Sequence, residues 1–197
     1  MKIILGSKSP RRRELIQSLG LEAEIELRSE EVDEIFPDDL NPHNVAGYLA
    51  KLKATPLLPK LKDHELLITS DTVVLRDNEI LGKPENREEA ISMIASLSGK
   101  KHHVITGVHL QTTEKFLTFS NTTEVHFEEL TNEEIAFYVD NFKPYDKAGA
   151  YGIQEWIGYV GISKIDGCYY NVMGLPLNAL YQTMKHEFKA FTSLRSQ

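Results

Sequence analysis

The sequence predicts an α/β fold. A short apolar run, a polar turn, a capped helix and an alternating run follow one another at the N-terminus, and strand-like runs then alternate with capped helical segments along the chain. Its 197 residues, 41% hydrophobic and 26% charged, suffice for one globular domain or two closely joined lobes.

Taking the elements in order, "KIIL" (2–5) reads as a short buried strand. Ser9 as N-cap, Pro10 at the first helical position and Gly20 past the last turn predict a helix over 10–19. "LEAEIELR" (21–28) alternates apolar and charged residues, as a half-exposed strand does. Asn41-Pro42 opens a second helix on which Val45, Leu49 and Leu52 share one side, with Lys53 beside that stripe rather than opposite it. "LLITSDTVVL" (66–75) reads as a strand interrupted at Ser70-Asp71-Thr72, and Asp77-Asn78 as a turn into "EILGKP".

Asn86 with Glu89, and Thr131 with Glu134, have capping-box spacing and open two further helices, the first stopping at Gly99. Two longer strands are expected between them, around "HHVITGVHLQT" and "KFLTFSNTTEVHFEEL". Residues 143–154, "KPYDKAGAYGIQ", form a loop too long to lack a role. Asp166-Gly167 is the strongest short hairpin signal, predicting that "GYVGISKI" and "CYYNVM" pair. Gly174-Leu175-Pro176 turns into a C-terminal helix, and residues 192–197 are expected to fray.

A net charge of −7 argues against a broad nucleic-acid or anionic-membrane footprint, so an anion must bind at a local cluster. With no run long enough to span a bilayer and no signal-peptide pattern, the chain is expected to be soluble and cytoplasmic. One cysteine, Cys168, rules out intrachain disulfides and thiolate clusters and is read as a structural thiol, buried or half-buried.

Arg11 and Arg12 can reach around the N-terminus of the first helix, where backbone N–H groups and the helix dipole already favour an anion, and guanidinium suits phosphate oxygens. Asp71, within an apolar run, needs a metal, a lysine or backbone donors to offset desolvation. The acidic run Glu30, Glu31, Asp33, Glu34 reads, taken alone, as a solvated face, although its carboxylates are the oxygen ligands that Mg²⁺ or Mn²⁺ requires beside a triphosphate. Lys83, between Gly82 and Pro84, is rigidly placed but is no Walker A lysine.

"SKSPRRREL", "VDE", "LAKLKA", "SDTVV", "GKP", "SG…TGV", "DKAGAYGIQ" and "GLPL" occur in an order that resembles the Maf family, within it the dTTP/UTP pyrophosphatase branch, over residues 3–181. The resemblance implies a single Maf-type domain over 1–197, with two lobes around a mixed, bent sheet and a deep central cleft holding the active site, as in inosine triphosphate pyrophosphatases. It implies metal-dependent hydrolysis of a nucleoside triphosphate, preferentially dTTP or UTP, to monophosphate and pyrophosphate.

By the same resemblance Ser7, Arg11 and Arg12 hold phosphates or base, and Glu34, Lys53, Asp71, Lys83 and Gln154 line the reaction centre. Arg12, Thr72 and Gln154 match the pyrimidine branch. Asp71 and Glu34 are the expected ligands of the Mg²⁺ or Mn²⁺ ion, and a homodimer is implied. After Gln154 the family often continues with glycine, where this chain has Glu155-Trp156. A housecleaning pyrophosphatase for modified nucleotides, and a regulator of septum formation with secondary activity, stand as alternatives.

Overall fold

The computed structural model describes residues 1–190, so the expected fraying of residues 192–197 lies outside the described residues. In chain order the elements are β1 (Lys2–Leu5), α1 (Pro10–Gln17), β2 (Ile25–Leu27), α2 (Pro42–Ala54), β3 (Glu65–Arg76), β4 (Glu79–Leu81), α3 (Arg87–Leu97), β5 (Lys101–Gln111), β6 (Phe116–Phe127), α4 (Asn132–Phe142), α5 (Trp156–Val160), β7 (Ile162–Asp166), α6 (Tyr169–Val172) and α7 (Leu177–Glu187). Short 3₁₀ segments cover Thr55–Lys60 and Ala148–Ala150. Among the described residues seven strands form one mixed sheet in the order β2-β1-β3-β5-β6-β7, with β4 paired to β3. The α/β expectation with a mixed sheet holds. No helix among the described residues is long and apolar enough to cross a membrane.

The chain divides into two compact units, the first made of Met1–Asp71, Thr106–Asn121 and the stretch from Gly174 onward, the second of Thr72–Ile105 and Thr122–Met173. In the first unit β1 pairs in parallel with both β2 and β3, matching Leu5 with Leu27 and with Ile68. Ile4, Ala54, Leu57 and Leu67 form an apolar cluster there. Gly107 lets β5 approach α2 closely: an added Cβ would lie 2.3 Å from the backbone of Ala46 and Gly47. The four residues between β5 and β6 are too few for a parallel crossover, so the strands form a hairpin, closed where Thr112 N–H donates to the Lys115 carbonyl (2.8 Å).

In the second unit Ala90, Ile94, Val104, Val125, Tyr138 and Ile157 belong to a larger core cluster. Asn86 caps α3 by accepting from Glu89 N–H (2.9 Å), but the Glu89 carboxylate accepts from Glu85 N–H (2.8 Å). Thr131 and Glu134 form the full reciprocal box at α4.

Three expectations are corrected. The strand predicted over 21–28 shrinks to Ile25–Leu27, because β1 offers it only a four-residue partner. β3 runs uninterrupted through Ser70-Asp71-Thr72, where the Ser70 carbonyl accepts from Arg12 of α1 and the Asp71 carboxylate from Lys53 of α2. Asp166-Gly167 makes no hairpin: β7 pairs back with β6, and the strand-like "CYYNV" becomes α6. Side chains draw it there. Cys168 N–H donates to Thr123 Oγ1 (3.0 Å), and buried Asn171 Nδ2 donates to the Val104 carbonyl (2.9 Å) and to Thr123 Oγ1 (3.0 Å).

Candidate active site

The first unit gathers most of the expected residues. β1 ends at Leu5, and Gly6 N–H donates to the Ile68 carbonyl (2.8 Å), which holds the following turn against β3. In that turn Ser7 Oγ accepts from Ser9 N–H (3.2 Å). Ser9 in turn caps α1 by accepting from Arg12 N–H (3.4 Å), as its position before Pro10 predicts.

The three arginines diverge, as a 100° step per helical residue requires. Arg13 faces a hollow it lines with Lys8, Glu14 and Gln17. Arg12 turns inward: Nε donates to the Gly174 carbonyl (2.9 Å) and Nη1 to the Ser70 carbonyl (2.9 Å). Burial lowers the pKa of Arg12, and Asp71, with a smaller contribution from Glu34, opposes that shift while Arg11 adds to it. All four charges therefore share one electrostatic neighbourhood.

Asp71 meets Lys53 through two periodicities. Thr69 and Asp71 project to one face of β3, and Ala50 and Lys53 lie one turn apart on α2. Accordingly Thr69 Oγ1 donates to the Ala50 carbonyl (2.6 Å), and Lys53 Nζ donates to Asp71 Oδ1. The same ammonium pairs with Glu34 Oε1 at 2.8 Å. Asp71 is buried and Glu34 partly exposed, on a segment whose neighbours Glu30 and Glu31 are tied to Lys60 (2.5 Å) and Lys8 (2.7 Å). The desolvation that a lone Asp71 would suffer is thus offset by a lysine.

Thr72 follows Asp71 directly, and the pleat turns their side chains to opposite faces of β3. The second unit holds the remaining candidates. Lys83 is exposed on the turn after β4, and Gly149 N–H donates to the Gly82 carbonyl (2.9 Å), so the Lys83 turn and the loop 143–154 are bonded together. Gln154, half-buried, lies at the end of that loop, where Tyr159 OH donates to its backbone carbonyl (2.8 Å).

Sequence reasoning passed over Lys147 and Tyr138. Lys147 is nearly buried and pairs with Asp146 (2.8 Å) and Glu155 (3.1 Å), while the Tyr138 hydroxyl donates to Glu155 and accepts from Gly152 N–H (3.0 Å). The available signal was Glu155 itself, an acid where the resembled pattern has glycine.

Glu34 and Asp71 both reach a single positive charge, so two hard oxygen donors are available to one cation. Among the described residues no three His, Cys, Asp or Glu side chains converge on a common point. The donor set fits an ion that takes two protein carboxylates and completes its shell with phosphate and water oxygens.

A family model described as "Maf-like protein" matches residues 2–187. The chain is 49% identical over 185 residues to a protein of Parabacteroides distasonis named "dTTP/UTP pyrophosphatase", covering 94% of this chain and 95% of that one. It is 47% identical over 181 residues to a protein of the same name from Flavobacterium johnsoniae, covering 92% of each. Among solved structures, a HAM1 protein from Coxiella burnetii aligns with a TM-score of 0.47 at 14% identity, over 94% of this chain and 98% of that chain.

Proposed function

The chain belongs to the Maf-like protein family, and from that premise we propose that it hydrolyses nucleoside triphosphates, dTTP and UTP foremost, to the nucleoside monophosphate and pyrophosphate. Relatives carrying that activity in their names match it at 47–49% identity along nearly its whole length. The observation that most supports the chemistry is the Lys53 ammonium held between Asp71 and Glu34, two carboxylates whose charge also acts on Arg12.

In the proposed reaction a water oxygen forms a bond to the α-phosphorus. The bond from that phosphorus to the oxygen bridging to the β-phosphate breaks, and its electron pair leaves with pyrophosphate. Asp71, fixed on a strand, accepts the water proton and is oriented by Lys53. Ser7 and Arg11 hold phosphate oxygens, and Lys53, Lys83 and Arg11 offset the charge growing on the leaving group. Arg12 contributes to substrate binding while two of its donors hold the backbone at Ser70 and Gly174. Thr72 and Gln154 offer the small donor and acceptor groups that a pyrimidine edge requires. Mg²⁺ or Mn²⁺, held by Asp71 and Glu34, would supply Lewis-acid polarisation of the phosphoryl oxygens. A cytoplasmic setting, a homodimeric state and the absence of nucleic-acid or membrane partners complete the proposal.

The test is to incubate the purified protein with Mg²⁺ or Mn²⁺ and dTTP, UTP, CTP, 7-methyl-GTP or ATP, resolving pyrophosphate from phosphate. Monophosphate and pyrophosphate from dTTP and UTP are expected. Release of phosphate instead would refute cleavage between the α- and β-phosphates, and no turnover at all would refute the enzymatic reading.

A further inference from the structure

Glu155 is where the chain departs from the pattern it otherwise follows, and the structure gives that acid several partners. One carboxylate oxygen accepts from the buried Tyr138 hydroxyl, and the other pairs with Lys147, 9% exposed, at 3.1 Å. The Tyr138 oxygen also accepts from Gly152 N–H (3.0 Å), and Glu155 N–H donates to the Gly152 carbonyl (3.0 Å). Both polar groups of Gly152 are thus bonded to the Tyr138–Glu155 pair. Burial first, and the bond to Glu155 second, push the Tyr138 pKa up, which keeps its hydroxyl a donor.

The Gln154 amide lies beside the same knot. A Cβ added to Gly152 would lie 2.9 Å from Glu155 Cδ and 3.1 Å from Gln154 Nε2, so the carboxylate and the amide flank one face of that glycine. On the far side, Trp156 meets Phe137 of α4 edge-on, with ring centroids 4.9 Å apart. The loop that ends in Gln154 is therefore fastened to α4 through Gly152 before that residue and through Glu155 and Trp156 after it.

We propose that Glu155 is a positioning residue that, through Tyr138 and Lys147, fixes the Gln154 amide for recognition of a pyrimidine edge. This rests on the reading of Gln154 as a base-contacting residue of a nucleotide pyrophosphatase. Side chains locked by neighbouring bonds present hydrogen-bonding groups at lower entropic cost, so loosening the knot weakens binding and blurs discrimination rather than slowing chemistry.

The experiment compares full-length Glu155→Gly, Glu155→Gln and Tyr138→Phe with the wild type in two readouts: steady-state kinetics on UTP and CTP, and hydrogen exchange at the Gly152 amide. Glu155→Gly and Tyr138→Phe should raise KM for UTP about tenfold with kcat within about twofold, and narrow the UTP-over-CTP preference. Gly152 should exchange about tenfold faster in both, with β5 amides unchanged. Glu155→Gln, which can still accept from Tyr138, should recover much of both properties. Unchanged KM and preference in the two disruptive variants, or a fall in kcat alone, would overturn the proposal. A wild type that turns over no nucleotide would instead refute the activity, and Gly152 exchange would then decide the pinning by itself: faster exchange upholds it, and wild-type exchange removes it.

Discussion

Lys53 donates to Asp71 across the interface of α2 with β3 and holds Glu34 on its other side. A buried acid, a cation and a more exposed acid therefore form a chain in which each charge depends on its neighbour. Removing the middle member leaves two carboxylates without their common partner, whereas neutralising one end leaves the lysine paired with the other.

Asp71→Asn keeps the size of the side chain and an acceptor for Lys53 but lacks the proton-accepting charge. Turnover should fall by about 10³-fold or more while the thermal midpoint moves by only a few degrees. Pyrophosphate release and a melting curve on the same sample check this, and turnover near wild type would remove Asp71 from the chemistry.

Arg12→Lys should not behave as a conservative change. A lysine cannot reproduce the fork that reaches the Ser70 and Gly174 carbonyls together, so about 1–3 kcal/mol of stability should be lost in urea denaturation, alongside activity. Arg11→Ala should raise KM with little change in stability. Equal midpoints for the two variants would contradict the backbone role of Arg12.

Gly107→Ala would place a methyl group 2.3 Å from the backbone of α2, where no side chain can rotate aside. A loss of about 3 kcal/mol or failure to fold is expected. Gly82→Ala, where an added Cβ meets nothing within 4 Å, should stay within about 0.5 kcal/mol of wild type. Comparable stability of both variants by denaturant titration would contradict the close approach.

His102 is buried beside Tyr151, and burial pushes its pKa down from 6.5 to about 3. The folded protein keeps the ring neutral, whereas the unfolded chain takes up a proton below 6.5. Stability from this group is therefore complete above pH 6.5 and declines as the pH falls toward 3, by up to about 1.4 kcal/mol per unit. Denaturation midpoints between pH 7 and 4 should fall more steeply for wild type than for His102→Gln. Parallel slopes would contradict this account.

What could be read from the sequence was mostly local. Ser9-Pro10, Asn86 and Thr131 fall at helix starts because capping is decided within four residues, and the positive φ angles at Asp77 and Asn78 turn β3 into β4 where expected. Lys53 could be placed beside its apolar stripe, but its meeting with Asp71 depended on the register of α2 against β3, which no single segment encodes. "CYYNV" has the aromatic and β-branched content of a strand, and side-chain bonds to Thr123 and Val104 override that preference. The Tyr138–Glu155 bond joins residues 17 positions apart, beyond any helical or strand period.

The division of the chain has a consequence for its birth on the ribosome. The first unit draws on Met1–Asp71, Thr106–Asn121 and the stretch from Gly174 onward, so its opening 71 residues emerge long before the segments that complete it. Synthesis proceeds at about 5–20 residues per second, which leaves the apolar strands β1 and β3 waiting for several seconds. The nascent protein must pass that interval with part of its future core uncovered, and sequestration by a chaperone would act in that window.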